Sequence, residues 1–476
     1  MRPILTPGAA AVPSRGMSRT PRTIAIHKFG GTSLGDASRI RNAARLLAAA
    51  RRRRPVVAVA SAMGGVTDVL LEAARDAERG RLGLARKAVE SLRARHAAAA
   101  RELGVCFDEA PLRELDAALQ GVSLLRERTV RVTDLVSSFG ERLSAPLLAA
   151  ALAKAGVQGR AVDARDMLVT DDCHGAATCD RKRSDPRIKR RLLPILSAGV
   201  LPVVTGFIAR SVKGETTTLG RSGSDTTAAL LGAALLAGEV VIWTDVDGVL
   251  SADPRLVKGA RLLPRLSYRE AAEMTFFGAK VLHFPAVLPA IAAGIPLVIR
   301  NSFRPEIRGT TIAAKGDGAL GIRAVTAVPG MCLLSLDGRG MTGIPGIAAR
   351  VFSATARLGV SVVMFSQASS EQNIALVIPE GDRARTVAAL EQEFRWERLT
   401  GSIDAVNARA PIAVVAAVGE GMRGTPGIAA KVFAAVARAK VNVESIAQGS
   451  SECNISFAVA EEDRVAAVRA LHRVVG

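Results

Sequence analysis

TIAIHKFGGTS, residues Thr23–Ser33, decides how the first part of the chain is read. An apolar, β-branched run ends in a lysine and a glycine pair, and a helical pattern at Ala37–Ala50 follows. The same order recurs downstream. Apolar runs at Pro55–Ala60, Val200–Val204, Val240–Trp243 and Pro296–Ile299 read as buried strands. Helical spacing occupies Leu143–Ala155, Ser224–Ala237 and Tyr268–Val281, and an Ala/Leu/Arg-rich helical insertion is expected over Leu84–Val136. Strand, glycine turn, helix, strand predicts an α/β domain around a mostly parallel sheet, whose strands are buried on both faces and so lack polar alternation.

The last third repeats itself. Gly340–Leu376 set against Gly421–Phe457, an offset of 81 residues, gives 21 identities in 37 positions without a gap. Each copy runs glycine turn, Pro-Gly, helix, strand, Gln-x-Ser-Ser-Glu turn and Asn-Ile strand, preceded by an apolar strand at Gly330–Leu336 or Pro411–Val418. With the charged helical segment that follows, this is a βαββα unit, a small ferredoxin-like module in two copies. Paired packing is expected, since each copy must bury a sheet face and a helix face. The expected division is a disordered tail at 1–22, an α/β domain at 23–315, and modules at 324–408 and 409–476.

Composition narrows the function. With 476 residues, 49% hydrophobic and 23% charged, the chain can bury several cores and is not a disordered polyelectrolyte. No stretch is long and apolar enough for a membrane span, so no membrane partner is expected. Five scattered cysteines without a CxxC pair, and five histidines, offer neither a disulfide framework nor a zinc site, and a reducing, cytoplasmic setting follows. The net charge of +20 comes from arginines spread along the chain, and only 3% of residues are aromatic, so the stacking rings of a nucleic-acid binder are missing. Nucleic acid is not an expected partner. The charge instead favours small anionic substrates. Residues 1–22 carry four arginines, no acid and no apolar h-region, so a secretory signal is not expected, and a disordered tail, a start at Met17 and a transit peptide are the open readings.

Four clusters carry the chemistry. Lys28-Phe29-Gly30-Gly31-Thr32-Ser33 is either an anion-binding turn, with amides and a mobile cation facing the ligand, or a turn that simply needs glycine. Thr216–Asp225 (TTTLGRSGSD) is a second such turn, with Ser224 expected as helix cap and Arg221 as a fork for a carboxylate. Asp225 falls in the first helical turn, where an acid is also welcome to the helix dipole. Trp243–Arg255 (WTDVDGVLSADPR) ends a strand in closely spaced acids, at the edge where α/β sheets bind ligands. Phe276–His283 (FFGAKVLH) holds Lys280, one of only 11 lysines, and a lysine kept in a glycine turn of an arginine-rich chain suggests that a compact ammonium is wanted.

In order and spacing, KFGGTS from Lys28, SAMGGVTD from Ser61, SSFGERLS from Ser137, TTTLGRSGSD from Thr216, WTDVDGV from Trp243, ADPR from Ala252 and FGAKVLH from Phe277 resemble the aspartate kinase family. The repeated modules resemble its paired ACT domains. The resemblance implies an amino-acid-kinase fold, a mostly parallel sheet sandwiched by helices, followed by tandem ferredoxin-like ACT modules. It implies transfer of the ATP γ-phosphoryl group, with Mg2+, to the β-carboxylate of L-aspartate. That gives 4-phospho-L-aspartate, the first step of lysine, threonine and methionine biosynthesis. Lys28 would stabilise the transferring group, with Gly30 and Gly31 cradling it. Arg221 would clamp the α-carboxylate, Glu141 would meet the ammonium, and Ser61 and Asp225 would complete the aspartate pocket. Thr244, Asp245, Asp253, Arg255 and Lys280 would hold ATP, and few direct protein ligands to the metal are expected, none of them identified. Leu250 and Phe284 stand where the family has Tyr and Pro, so a leucine wall replaces tyrosine stacking on adenine. The alternatives are a catalytically weak amino-acid sensor and a kinase for another acidic amino acid.

Gly338–Gly343 and Gly419–Gly424 match GxGxxG, but the βαββα pattern is not a dinucleotide-binding βαβ unit, and the first copy has Val363 where the fingerprint wants an acid. Read as ACT modules, these turns would seat an amino-acid effector, with Gln367 and Gln448 hydrogen-bonding it. The wording is most similar to threonine-sensitive aspartokinases fused to homoserine dehydrogenase. Threonine is therefore the first expected effector and lysine the second. The chain ends at Gly476, where the second enzyme would begin, so a kinase-plus-regulator chain is expected. Pairing of ACT modules between chains implies a homodimer or homotetramer.

Overall fold

The computed structural model describes residues 24–277, 281–318 and 320–475; the expected tail at 1–22 and Lys280 lie outside them. The first domain is built on an eight-stranded sheet. Its order is Gly159–Val162, Leu201–Thr205, Val56–Ala60, Ala25–Phe29, Glu239–Thr244, Leu297–Asn301, Thr310–Ala313 and Arg265–Ser267. The first six run parallel; Thr310–Ala313 is antiparallel to Leu297–Asn301, and Arg265–Ser267 is parallel to Thr310–Ala313. The five apolar runs of the sequence are five adjacent strands of this sheet. The strands that sequence reading missed are short and partly exposed, without an apolar run to announce them.

Side chains alternate between two helical layers, as the strand period of two requires. Ile26, Val57, Val59, Val240 and Ile242 pack in one layer, with helices Arg181–Ser197, Gly223–Leu235 and Phe284–Ala292. Phe29, Val56, Ala58, Ala60 and Trp243 face the other, with helices Ala37–Arg51, Val66–Glu78 and Val130–Lys154. The helical insertion is real but bounded differently. Helices Leu82–Leu103 and Ala110–Leu125 make it up, and the next helix starts at Val130 and runs unbroken to Lys154. The helix expected over Tyr268–Val281 ends at Phe276. Helix Phe284–Ala292 was missed because two of its residues, Pro285 and Pro289, read as breakers. Ser224 is not the cap of its helix. Ser222 takes that position in a left-handed conformation (φ 57°), and Ser224 lies inside the first turn.

The repeats form one six-stranded sheet ordered Met364–Gln367, Asn373–Pro379, Ala324–Asp337, Ala405–Val418, Asn454–Ala460 and Ser445–Ala447. Its two central strands have 14 residues each, longer than the apolar runs Gly330–Leu336 and Pro411–Val418 suggested. They pair antiparallel, so that each lends its first half to the other copy. Ala405–Arg409 flanks Leu333–Asp337 of the first module, and Ala324–Val328 flanks Val414–Val418 of the second. Each copy thereby gains a fourth strand, which follows the βαββα unit in the chain in the first copy and precedes it in the second. The boundary expected between 408 and 409 lies inside the shared strand Ala405–Val418.

Candidate active site

The parallel strands end together, and the candidate residues gather at that carboxyl edge. Lys28 shares a sheet face with Ile26 and so points toward helix Gly223–Leu235, where Asp225 lies in the first turn. Lys28 Nζ and Asp225 Oδ1 are 2.7 Å apart and nearly buried. The glycine turn after Lys28 packs against the Ser61–Gly65 turn of the next strand. A Cβ on Gly31 would stand 3.1 Å from the Ala62 carbonyl oxygen and 3.3 Å from Gly64 Cα, so two backbones approach as only glycine allows. Gly30 has more room: its Cβ would lie 3.5 Å from Lys28 Nζ.

Glu141 reaches this place from the middle of helix Val130–Lys154 and is 3% exposed. One carboxylate oxygen accepts the Ala62 amide at 3.0 Å, while Oε2 has no hydrogen-bond partner among the described residues. Burial pushes its carboxyl up to about 8, against the Ala62 amide and the Lys28 ammonium, which favour ionisation. Ser61 sits alongside: its amide donates to the Phe29 carbonyl at 3.1 Å, and Ser144 Oγ donates to its carbonyl at 2.6 Å. Arg221 is exposed and has no side-chain partner among the described residues.

The structure brings Lys28, Gly30, Gly31, Ser61, Glu141 and Asp225 together. Thr244 and Asp245 end the adjacent strand, where the Gly30 amide meets the Trp243 carbonyl at 3.4 Å and Thr244 Oγ1 donates to Asp245 at 3.1 Å. Asp253 and Arg255 face each other instead of this cluster, in a two-pronged pair with contacts of 2.7 and 3.1 Å. The Arg255 guanidinium holds the Asp253 carboxyl below its usual range. Leu250 is half-buried and bridges to Leu262, and Phe284 opens helix Phe284–Ala292.

Sequence reading missed the supports of this edge. Ser302 Oγ meets Ser33 Oγ at 2.9 Å, and its amide meets the Thr244 carbonyl at 2.8 Å. Asn301 donates to Asp247 at 2.7 Å, fixing the acidic turn. Their only local signal was a polar pair closing an apolar strand. Asp134, seven residues before Glu141, was also passed over.

The repeated turns keep matching geometry. Glu371 and Glu452 both adopt left-handed backbone, and their carboxylates accept the Gly343 and Gly424 amides at 2.7 and 2.8 Å. Their surroundings differ. The first turn borders a cavity between Met341, Ile344, Ile347, Gln367, Glu371 and Ile374. The second turn is pressed onto the first domain: the Glu420 amide donates to Glu270 at 3.1 Å, and Asn454 donates to Glu273. Ser251 and His472 meet across the same junction at 2.8 Å. Among the described residues no helix is long and apolar enough to cross a membrane.

The Amino acid kinase family model matches residues 23–301, and an ACT domain model matches 334–394 and 415–475. The chain is 36% identical over 462 residues to bifunctional aspartokinase/homoserine dehydrogenase 2, chloroplastic, of Arabidopsis thaliana, covering 94% of this chain and 50% of that protein. It thus spans about half the length of the bifunctional relatives it matches. It is 34% identical to aspartokinase 1, chloroplastic, of the same plant, over 94% of this chain and 79% of that one. Aspartokinase III of E. coli, solved with aspartate and ADP, superposes with a TM-score of 0.77 at 31% identity, over 94% of this chain and 99% of that one. The same enzyme solved with lysine and aspartate gives a TM-score of 0.76 at 32% identity, over 95% and 99%. On the fold, on the tandem modules and on matches that run through nearly the whole chain, the protein belongs to the amino acid kinase family, among the aspartokinases.

Proposed function

We propose that the chain is a feedback-regulated aspartate kinase, carrying the γ-phosphoryl group of ATP to the β-carboxylate of L-aspartate to give 4-phospho-L-aspartate. This would be the first step toward lysine, threonine and methionine. The observation that carries the reading is Glu141: a buried carboxyl with one oxygen satisfied and the other unpartnered, beside the Lys28–Asp225 pair. A buried polar atom without a partner is costly, and a substrate ammonium would complete it.

The chemistry asks little more of the side chains. A substrate carboxylate with a pKa of about 3.9 is ionised at neutral pH, so no general base is required. The protein brings two anions together and neutralises developing charge. Lys28 has three donors and is ion-paired with Asp225, which leaves donors for a phosphoryl oxygen. Gly30 and Gly31 let backbone amides approach the same group. Arg221 would clamp the α-carboxylate, with Ser61 completing the pocket. Thr244, Asp245, Asp253, Arg255 and Lys280 would hold the nucleotide, with Leu250 as an apolar wall. Mg2+ supplies charge neutralisation on the phosphates. It would be held chiefly by phosphate and water, with few direct protein ligands.

The effector site of the reading is the cavity beside Gln367. The Gln448 turn is its duplicate, but its neighbours Glu420 and Asn454 are engaged with the first domain. Threonine remains the first effector, from likeness to the bifunctional enzymes, and lysine, present in an E. coli complex, the second. Self-association through the ACT modules is part of the reading: Phe352 and Phe365, exposed on the first module, stack edge-on at 5.1 Å.

The test is ATP turnover with L-aspartate, hydroxylamine trapping the acyl phosphate, with and without threonine and lysine. Wild type should form hydroxamate, and Lys28→Ala should lose it by at least about a thousandfold. Turnover with glutamate alone would move the substrate, and threonine binding without any turnover would leave a sensor.

A further inference from the structure

Helix Val130–Lys154 carries Glu141, and two turns earlier on the same face it carries Asp134, which is 2% exposed. Four donors converge on the Asp134 carboxylate. They are Thr218 Oγ1 at 2.6 Å, the Thr218 amide at 3.2 Å, the Gly175 amide at 2.9 Å and His174 Nδ1 at 3.1 Å. A second rung lies one turn away. Arg131, on the same helix, pairs with Glu215 at 2.7 Å, and His174 Nε2 stands 3.3 Å from the other Glu215 oxygen.

These rungs bind one helix to the segment Glu215–Thr218, and Arg221 follows three residues later. The turns around Gly175 and Gly220 also lean on each other. The Ala177 amide donates to the Thr218 carbonyl at 2.8 Å, and a Cβ on Gly220 would lie 3.2 Å from that of Ala176. Arg221 has no side-chain partner among the described residues, so its position is set by the backbone that carries it. The helix that presents Glu141 therefore also holds the turn that presents Arg221.

We infer that Asp134 is a positioning residue: it sets the span between the ammonium site at Glu141 and the α-carboxylate site at Arg221, and so selects an α-amino-acid head. The inference rests on the aspartate-binding roles proposed above for those two residues. A carboxylate is needed because it accepts from all four donors. An asparagine of the same shape keeps one acceptor oxygen and turns N–H groups toward donors.

Asp134→Asn in the full chain tests this. The KM for L-aspartate should rise at least about tenfold, with kcat and the KM for ATP changing less than about twofold. Amide exchange should speed up at Gly175 and Thr218–Ser222 but not in the Ser61–Gly65 turn. Thr218→Val should repeat the aspartate defect and Thr218→Ser should stay close to wild type, which covers the case of an Asp134 variant that does not fold. Equal shifts in both KM values, or no shift, would overturn the positioning role while leaving the kinase reading intact. A wild type without aspartate-dependent turnover would remove both.

Discussion

A carboxyl group that is buried before its ligand arrives keeps its proton. Glu141, raised to about 8 by burial, is in its acid form at neutral pH in the empty site. An arriving ammonium favours the carboxylate, so aspartate binding at pH 7 is expected to release a proton, read as a buffer-dependent binding enthalpy. The same shift acts on stability. The unfolded chain loses this proton near 4.5 and the folded chain near 8, so the folded state binds more protons in that window. Stability therefore falls as pH rises from 4.5 to 8. Glu141→Gln removes the ionisation. Its melting temperature should match wild type at pH 4 and exceed it at pH 9, while its aspartate affinity drops by about a hundredfold. A variant that melts below wild type at pH 9 would sink this account. His27 shows the opposite case. Burial and nearby Arg54 and Arg300 depress it to about 3, and its neutral ring accepts the Trp243 indole N–H at 3.1 Å.

Between elements, the closest approach is turn against turn. Gly31 and Gly64 meet backbone to backbone, whereas Gly30 faces the end of a flexible lysine. The two neighbouring glycines should respond differently to the same substitution. Gly31→Ala must push the turns apart by a few tenths of an ångström, with an expected loss of about 1–3 kcal/mol. Gly30→Ala meets ordinary contacts at 3.5 and 3.8 Å and should melt within about 0.5 kcal/mol of wild type while losing ATP turnover. Denaturation of both variants, with turnover measured alongside, checks the contrast. Helix Tyr268–Phe276 is a second critical element. Glu270 closes its capping box with Ser267, and its other oxygen takes the Glu420 amide. Glu273, one turn on, takes Asn454. Asn454→Ala is expected to weaken feedback inhibition several-fold with little change in uninhibited turnover, because the second module would grip this helix less firmly. Inhibition curves with threonine and lysine decide it.

At the scale of the molecule, the two modules are one folding unit. Ala324–Val328 lies before the first module in the chain yet completes the sheet of the second. A fragment of residues 411–475 lacks that strand and should stay largely unfolded, while 320–475 should fold and melt cooperatively. Circular dichroism of the two fragments distinguishes this exchange from two independent modules, for which both would fold. The arrangement also gives the duplicated turns separate surroundings, one beside a cavity and one against the first domain.

The parallel sheet, the duplication and the cationic glycine turns were legible in the sequence because each is written locally. A buried parallel strand is a continuous apolar run, a repeat needs only an offset, and KFGGTS is a turn of six adjacent residues. The tertiary structure decided what depends on distant partners. Ala62 meets Glu141 across 79 positions, Thr218 meets Asp134 across 84, and Trp243 meets His27 across 216. It also crossed the long strands between the modules. No local pattern encodes such contacts, because the energy of a buried polar group is set by whichever donor the fold brings within 3 Å of it, and that donor is chosen by the packing of the whole domain.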